Sequence, residues 1–347
     1  MKYEEIYEKV KNGILSGAYK SGDKLPSKRA LAESNGVSVI TAEHVYGLLE
    51  SEGYIEARER SGYFVIGPSA VFDSGKPYKI EPSLPKNDFG EYFPYTLYAK
   101  AVRAVLSESG ENVLRKSQDS GLTELKIAIK NYLLTSRNVK INENNVIIGA
   151  GAEYLYGLIP EILGKSAIYG IENPSYKTIK KVYASRGVIT DDLTLGKDGI
   201  KTEELNRTKA SVLHVTPYRS YPTGVSATAG KKREYLDFIK SRNGYIVEDD
   251  YDSEFSLNAR LTETLFSLGS DRVIYINTFS KTVCPAIRAG YMILPDKLLK
   301  IYKEKADGYS CSVPTLEQLV LCKILSDGSF ARHISKVRRN RKNNLPR

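Results

Sequence analysis

Residues 275–295, YINTFSKTVCPAIRAGYMILP, hold Lys281 and Arg288 between two apolar, β-branched runs. The runs read as strands and the segment between them as their connection. A lysine at a strand terminus, partly desolvated and near other cations, is a candidate amine nucleophile, because both influences disfavour its ammonium form. Seven positions on, Arg288 adds a second cation after a proline-bent loop.

Working outward, short apolar runs alternate with helical stretches: NVIIG, SAIYGI, GVIT, SVLHV, GYIVE, RVIYIN and AGYMIL. Buried strands separated by helices predict an α/β fold with a mostly parallel central sheet, and such sheets bind ligands beyond the carboxyl ends of their strands. Gly149-Ala150-Gly151-Ala152 follows NVIIG and opens a helix, so its N–H groups and helix dipole suit a phosphate. Close helix–strand packing also calls for small residues there. Glu248-Asp249-Asp250-Tyr251 follows GYIV; its carboxylates suit a metal, a base or a protonated ring nitrogen.

The chain has 347 residues, 41% hydrophobic and 27% charged, which predicts a globular protein of two unequal units. No apolar run reaches membrane-spanning length, and MKYEEIYEKV lacks the n- and h-regions of a secretory signal, so a cytoplasmic location without a membrane partner is expected. Cys284, Cys311 and Cys322 have no paired spacing, and neither disulfides nor a metal site is expected. The net charge of +10 is uneven: residues 1–66 hold nine Lys/Arg against ten Asp/Glu, whereas the last seventeen hold seven Lys/Arg and no acid.

Within residues 1–66, Ile6, Val10, Ile14 and Leu15 recur at helical spacing, and Gly17 to Gly22 stop that helix. PSKRALAESNGVSVITAEHVYGLLESEGYI then reads as helix, turn at Asn35-Gly36, and a second helix with Ala42, Val45 and Leu49 inward; Ser27 and Ser38 are its caps. YIEARERSGYFVI alternates around Ser61-Gly62 as a hairpin does. Helix, helix-turn-helix and wing is a DNA-reading arrangement.

From LPSKRALA to SGYFV this stretch resembles the winged helix-turn-helix domain of the GntR regulator family. The resemblance implies double-stranded DNA as partner. It carries over Lys28 and Arg29, the latter as a phosphate contact, Ser38, Val39, Ile40 and Thr41 as the start of the recognition helix, and Arg60, Ser61 and Gly62 as the wing tip. Val39 stands where the family usually has a base-reading arginine, and Glu43 where a second basic residue is common. Contact between Val39 or Ile40 and a thymine methyl is a substitute reading.

The strand-end residues together resemble the fold type I pyridoxal-phosphate enzymes, the aminotransferase family. That implies pyridoxal 5'-phosphate as cofactor, with Lys281 bonded to its aldehyde, Asp249 on the pyridinium nitrogen and Tyr251 on the ring hydroxyl. Thr278, Arg288, Gly151 and Ala152 would hold the phosphate, and Tyr176, in ENPSY, would stack on the ring. A winged helix fused to such a domain is similar to the MocR (PdxR/GabR-like) subfamily of GntR regulators, with which VTPxxxYPTG, EDDYDSEF, NTFSKTxxPAIRxGY and YSCSVPTLEQ agree. The domains expected are 1–66 (winged helix), 67–87 (linker) and 88–347 (aminotransferase-like).

Three features depart from the subfamily. Tyr218-Arg219-Ser220 replaces Ser-His-Gln, and Ala152 replaces a hydroxyl-bearing phosphate ligand. After HISKVRRNRKNNLPR the sequence ends where the family continues into a smaller subdomain carrying the substrate-carboxylate arginine, so the α/β domain is expected to be C-terminally truncated. The basic end reads as the start of a connecting helix, with a tail on DNA phosphates as the sharper alternative. The function implied is a transcriptional regulator whose aminotransferase-like part dimerises and senses pyridoxal phosphate or a small amino compound. The alternative is an aminotransferase acting between an amino acid and a 2-oxo acid.

Overall fold

The computed structural model describes residues 2–66, 92–256, 263–306 and 309–344. The expected linker, 67–87, lies outside the described residues. The chain divides into two compact units, 1–87 and 88–347.

The first unit comprises α1 (Lys2–Leu15), α2 (Lys28–Asn35), α3 (Val39–Ser51), and the strands β1 (Ile55–Arg58) and β2 (Gly62–Val65). Each cap acts through its side chain: Ser27 Oγ accepts from the Ala30 N–H at 3.2 Å, and Ser38 Oγ from the Thr41 N–H at 3.1 Å. Gly36 ends α2 with φ of 61°, a left-handed conformation that glycine adopts without steric cost. Ile6, Val10, Ile14, Ala42, Val45, Tyr46 and Leu49 form the core with Ile55 and Val65 of the antiparallel wing. Leu15, expected on the same stripe, is half exposed. It lies one residue, about 100° of helix, past Ile14, and so leaves the buried face.

In the second unit α4 (Tyr95–Ser109) and α5 (Thr123–Arg137) precede β3 (Val146–Gly149) and α6 (Ala152–Leu163). There follow β4 (Ile168–Asn173), α7 (Lys177–Ser185), β5 (Ile189–Thr194), α8 (Thr202–Arg207), β6 (Val212–Val215), α9 (Ala229–Ser241) and β7 (Tyr245–Asp249). The chain then runs through α10 (Leu265–Leu268), β8 (Val273–Thr278), β9 (Gly290–Ile293), α11 (Asp296–Ala306), α12 (Thr315–Ser326) and α13 (Ser329–Asn343). All seven apolar runs are strands, in the order β3-β9-β8-β7-β6-β4-β5.

The sheet is parallel from β5 to β8, and β9 runs antiparallel to both β8 and β3. The connection from Thr278 to Gly290 holds only a single short helical turn, too little for the crossover that a parallel neighbour requires. Alternation along the strands sends side chains to two cores. Ile148, Tyr275 and Tyr291 pack with α5, α12 and α13, while Ile147, Ile274 and Met292 pack with α6, α7 and α11. The basic carboxy-terminal segment is part of this packing: Phe330, His333, Ile334 and Val337 of α13 are buried, Arg338 Nε donates to the Glu254 carbonyl at 2.5 Å, and Arg341 lies 4.6 Å from the Phe255 ring centre. Among the described residues no helix is long and apolar enough to cross a membrane.

Candidate cofactor pocket and nucleic-acid surface

Beyond the carboxyl ends of β3, β6, β7 and β8 lies a pocket of about 550 Å³. Asp249 ends β7, Thr278 ends β8, Ala152 begins α6, and Tyr176 caps α7; all four line it with Tyr251, Lys281 and Arg288. The topology explains this gathering, since parallel strands end at one edge and their following turns collect there.

Lys281 Nζ lies 2.6 Å from Asp252 Oδ1 and 4.7 Å from the centre of the Tyr251 ring. Its nearest charge is therefore a buried carboxylate, and not the second cation that the sequence set close by. Arg219 Nη1 approaches the other oxygen of Asp252 at 3.2 Å. Arg288 stands with φ of 40°, and its guanidinium is 3.0 Å from the position that a Cβ on Gly151 would take. Gly151 itself has φ of 86°, so both the approach and the backbone require glycine there. The amino end of α6 and a half-exposed arginine thus form a cradle for a dianion, with Glu153 3.8 Å from the guanidinium as the opposing charge. Ala152 contributes backbone and no hydroxyl.

Asp249 is held from behind by residues that sequence reading missed. The Tyr156 hydroxyl donates to Asp249 Oδ2, His214 Nε2 lies 3.9 Å from that oxygen, and His214 Nδ1 meets the Tyr183 hydroxyl at 2.7 Å. The available signal was His214, one polar residue inside the otherwise apolar run SVLHV. Asp249 Oδ1 is buried without a hydrogen-bond partner among the described residues, on a residue that lines the pocket. An unsatisfied buried acceptor is costly unless a ligand donor meets it, and a protonated ring nitrogen is such a donor. Burial, followed by Asp252 and Asp249, raises the Tyr251 phenol above its usual range and keeps it an O–H donor. Tyr176 is half exposed and meets Tyr221 edge-on at 6.4 Å, as a stacking wall and not a core tyrosine. The donor set fits pyridoxal phosphate at its phosphate, ring nitrogen, ring hydroxyl and aldehyde.

Beside the pocket, Glu172 is buried, accepts from Ser220 Oγ at 2.5 Å, and is pushed up to about 7, chiefly by burial. The folded chain therefore binds a proton that the unfolded chain has released above its ordinary value of 4.5. This contribution to stability is complete below that value and disappears as pH rises to about 7, on the order of 3 kcal/mol. Glu172→Gln is expected to flatten the stability–pH slope across that window by about one proton, read by urea unfolding at successive pH values. An unaltered slope means that Glu172 is ionised in the folded state.

In the first unit, the amino end of α3 is outward. Ser38, Val39 and Ile40 are exposed, Ile40 at 78%, and Thr41 is partly so. Arg29 is exposed on α2, and Arg60, Ser61 and Gly62 form the exposed turn between β1 and β2, with Arg60 at φ of 58°. Lys28 is engaged: Nζ lies 2.5 Å from Glu43 Oε1 and 5.6 Å from the Tyr63 ring centre.

Residues 2–65 match the family described as bacterial regulatory proteins, gntR family, and residues 87–345 match aminotransferase class I and II. The HTH-type transcriptional regulator YdeL of Bacillus subtilis is 30% identical over 97% of this chain and 76% of its own length. The probable rhizopine catabolism regulatory protein MocR of Rhizobium meliloti is 29% identical (97% and 74%), and the HTH-type pyridoxine biosynthesis transcriptional regulator PdxR of Corynebacterium glutamicum is 26% identical (96% and 75%). Among solved structures, a multiple substrate aminotransferase from Thermococcus profundus superposes with a TM-score of 0.67 at 21% identity, over 73% of this chain and 66% of that one. An archaeal alanine:glyoxylate aminotransferase gives 0.64 at 19%, over 70% and 63%. The chain thus spans just under two thirds of those two enzymes, and the likeness is one of fold.

Proposed function

The chain belongs to the aminotransferase class I and II family and carries a gntR-family regulatory domain, and from that premise we propose a DNA-binding transcriptional regulator whose second unit takes pyridoxal 5'-phosphate as its sensing group. The observation that carries this reading is that one chain holds both an outward-facing α3 and a pocket that gathers Lys281, Asp249, Gly151 and Arg288. Regulators named as such match it along nearly its whole length, which favours regulation over the alternative of an aminotransferase.

When bound, pyridoxal phosphate supplies an aldehyde for amines and an electron-withdrawing ring. Lys281 offers the amine. Asp249, backed by Tyr156 and His214, holds a proton at the ring nitrogen, and Tyr251 donates to the ring oxygen. Arg288, Thr278 and the start of α6 bind the phosphate. An amino compound entering beside Lys281 alters these contacts, and any difference in its affinity for two conformations biases the DNA-bound one. We assign the cytoplasm as its location. A second copy of the chain is the further partner proposed, supported by the exposed apolar side chains Tyr95, Leu97, Leu106 and Leu114 on and after α4.

The test is fluorescence anisotropy of the full chain on random-sequence and selected DNA duplexes across a salt series, with and without pyridoxal phosphate. Binding is expected to weaken with salt, and the cofactor to change affinity for selected duplexes. Absence of salt-sensitive binding under both conditions removes the proposal. In the same assay Glu43→Gln is expected to strengthen binding to every duplex and steepen the log–log salt slope by about one, because Lys28 is released to a phosphate. A slope equal to that of the unaltered chain would show that Lys28 does not face the duplex.

A further inference from the structure

We propose that Arg219 recognises the carboxylate of an amino acid entering beside Lys281, with Asp252 positioning both cations. The inference rests on the reading of the pocket above and narrows its amino compound to one bearing a carboxylate.

Arg219 is built into its place. Its N–H donates to Ser226 Oγ at 3.0 Å, the adjacent Ser220 bonds with Val225 and with the buried Glu172, and the backbone at Arg219 has φ of 50°. Non-glycine residues occupy that region at a cost, and an arginine there points to a demand on where its side chain must go. Among the described residues three arginines have such backbones: Arg60 at the wing tip, Arg288 in the pocket lining, and Arg219, which reaches the pocket's Lys281 through Asp252.

The charges give the direction. Asp252 is 3% exposed and splits its oxygens between Lys281 at 2.6 Å and Arg219 at 3.2 Å, so one rigid carboxylate fixes the spacing of amine and guanidinium. Arg219 is half exposed. A guanidinium has five N–H donors in a planar fork, and the contact with Asp252 occupies one edge, leaving donors for an incoming carboxylate. Arg219, Asp252 and an ammonium at Lys281 sum to one positive charge. The cradle of Gly151 and Arg288 suits a separate anion, which leaves the Arg219 guanidinium for a second one. An amino acid supplies both complements: its amine meets the Lys281 position and its carboxylate meets Arg219. Tyr176 and Tyr221 offer aromatic walls for a short carbon chain between them.

The test compares amino acids with amines that lack only the carboxylate: glycine, L-alanine, 3-aminopropanoate and 5-aminopentanoate against methylamine, ethylamine and butylamine. Binding is read in two arms, from the shift of the visible band of the full chain loaded with pyridoxal phosphate, and by calorimetry on the chain without it. The readout is the ratio of acid to amine affinity, which cancels general damage to the pocket. In the unaltered chain at least one acid is expected to exceed its amine by roughly 10- to 100-fold. Arg219→Gln is expected to bring that ratio to near one, and Arg219→Lys, which keeps the charge without the fork, to an intermediate value. Equal affinity for acids and amines in the unaltered chain, or a preference that survives Arg219→Gln, overturns the assignment. Failure of pyridoxal phosphate to bind refutes the cofactor reading instead, and the calorimetric arm then decides Arg219 by the same ratio, with no preference there counting against it.

Discussion

Lys281→Ala is expected to abolish covalent capture of pyridoxal 5'-phosphate. After addition of the cofactor and reduction with borohydride, the unaltered chain is expected to retain about one equivalent as a secondary amine, and the variant none, by mass spectrometry of the intact chain. Other lysines compete on paper. Lys126 and Lys232 are buried, and burial lowers the pKa of each amine below the usual lysine range. Neither lines the pocket: Lys126 Nζ is engaged with Ser120 at 2.5 Å, and Lys232 Nζ with the Glu263 carbonyl at 2.5 Å. Access decides over intrinsic basicity here, because an aldehyde held between Asp249 and Arg288 meets only an amine within bonding distance. Lys281, about one third exposed, opens into that cavity. Reversible binding through Gly151 and Arg288 is expected to persist in the variant. Trapping of a full equivalent in Lys281→Ala, on any other residue, would falsify the assignment of the amine.

The largest expected effect on stability comes from Arg137, outside the pocket. Its guanidinium, 7% exposed, pairs with Asp250 and hydrogen-bonds Ser253, and the Tyr275 hydroxyl donates to the same oxygen of Asp250 at 2.6 Å. Glu248 and Glu254 lie in this network, fully buried and each pushed up to about 7, first by burial and then by Asp250. Arg137→Met keeps much of the volume and removes the cation paired with Asp250 and acting on Glu254. The loss expected is about 3–5 kcal/mol in urea unfolding near pH 8. The sign with pH follows from the raised values: protonation of these carboxyls favours the folded chain, so the deficit shrinks as pH falls below about 7. Arg137→Met combined with Asp250→Asn is expected to recover part of the loss, since both charges of the pair are then gone. A deficit under about 1 kcal/mol, or one that does not diminish in acid, contradicts this account.

These residues show how far the sequence reaches. EDDYDSEF suggested a pyridine partner and a ring hydrogen bond, and gave no means of sorting its four remaining acids. Packing sorts them: Asp250 pairs with Arg137 of α5, Glu254 accepts from the Asn277 amide at 2.6 Å, Glu248 accepts the N–H groups of Leu265 and Phe266, and Asp252 turns to Lys281 and Arg219. Burial of Glu248 and Asp249 on opposite sides of one strand follows from the two-residue repeat, but which neighbours await them does not. Likewise the run SVLHV announced a strand, and the partnership of His214 with Tyr156, Tyr183 and Asp249 arises from α6 and α7 packing on β6 and β7.

Local chemistry by itself determined the helix caps at Ser27 and Ser38, the turn at Gly36, seven strands and their helices, and the cluster of candidate ligands at strand ends. Each of these depends on neighbours within a few residues, through hydrogen-bond donors, backbone freedom and the period of apolar side chains. Tertiary structure alone decided the antiparallel placement of β9, the pairing of Lys28 with Glu43, and the bridge from Lys281 through Asp252 to Arg219. Those contacts join residues a dozen or more positions apart, and their energies rest on desolvation and charge geometry that exist only once the chain has closed around them.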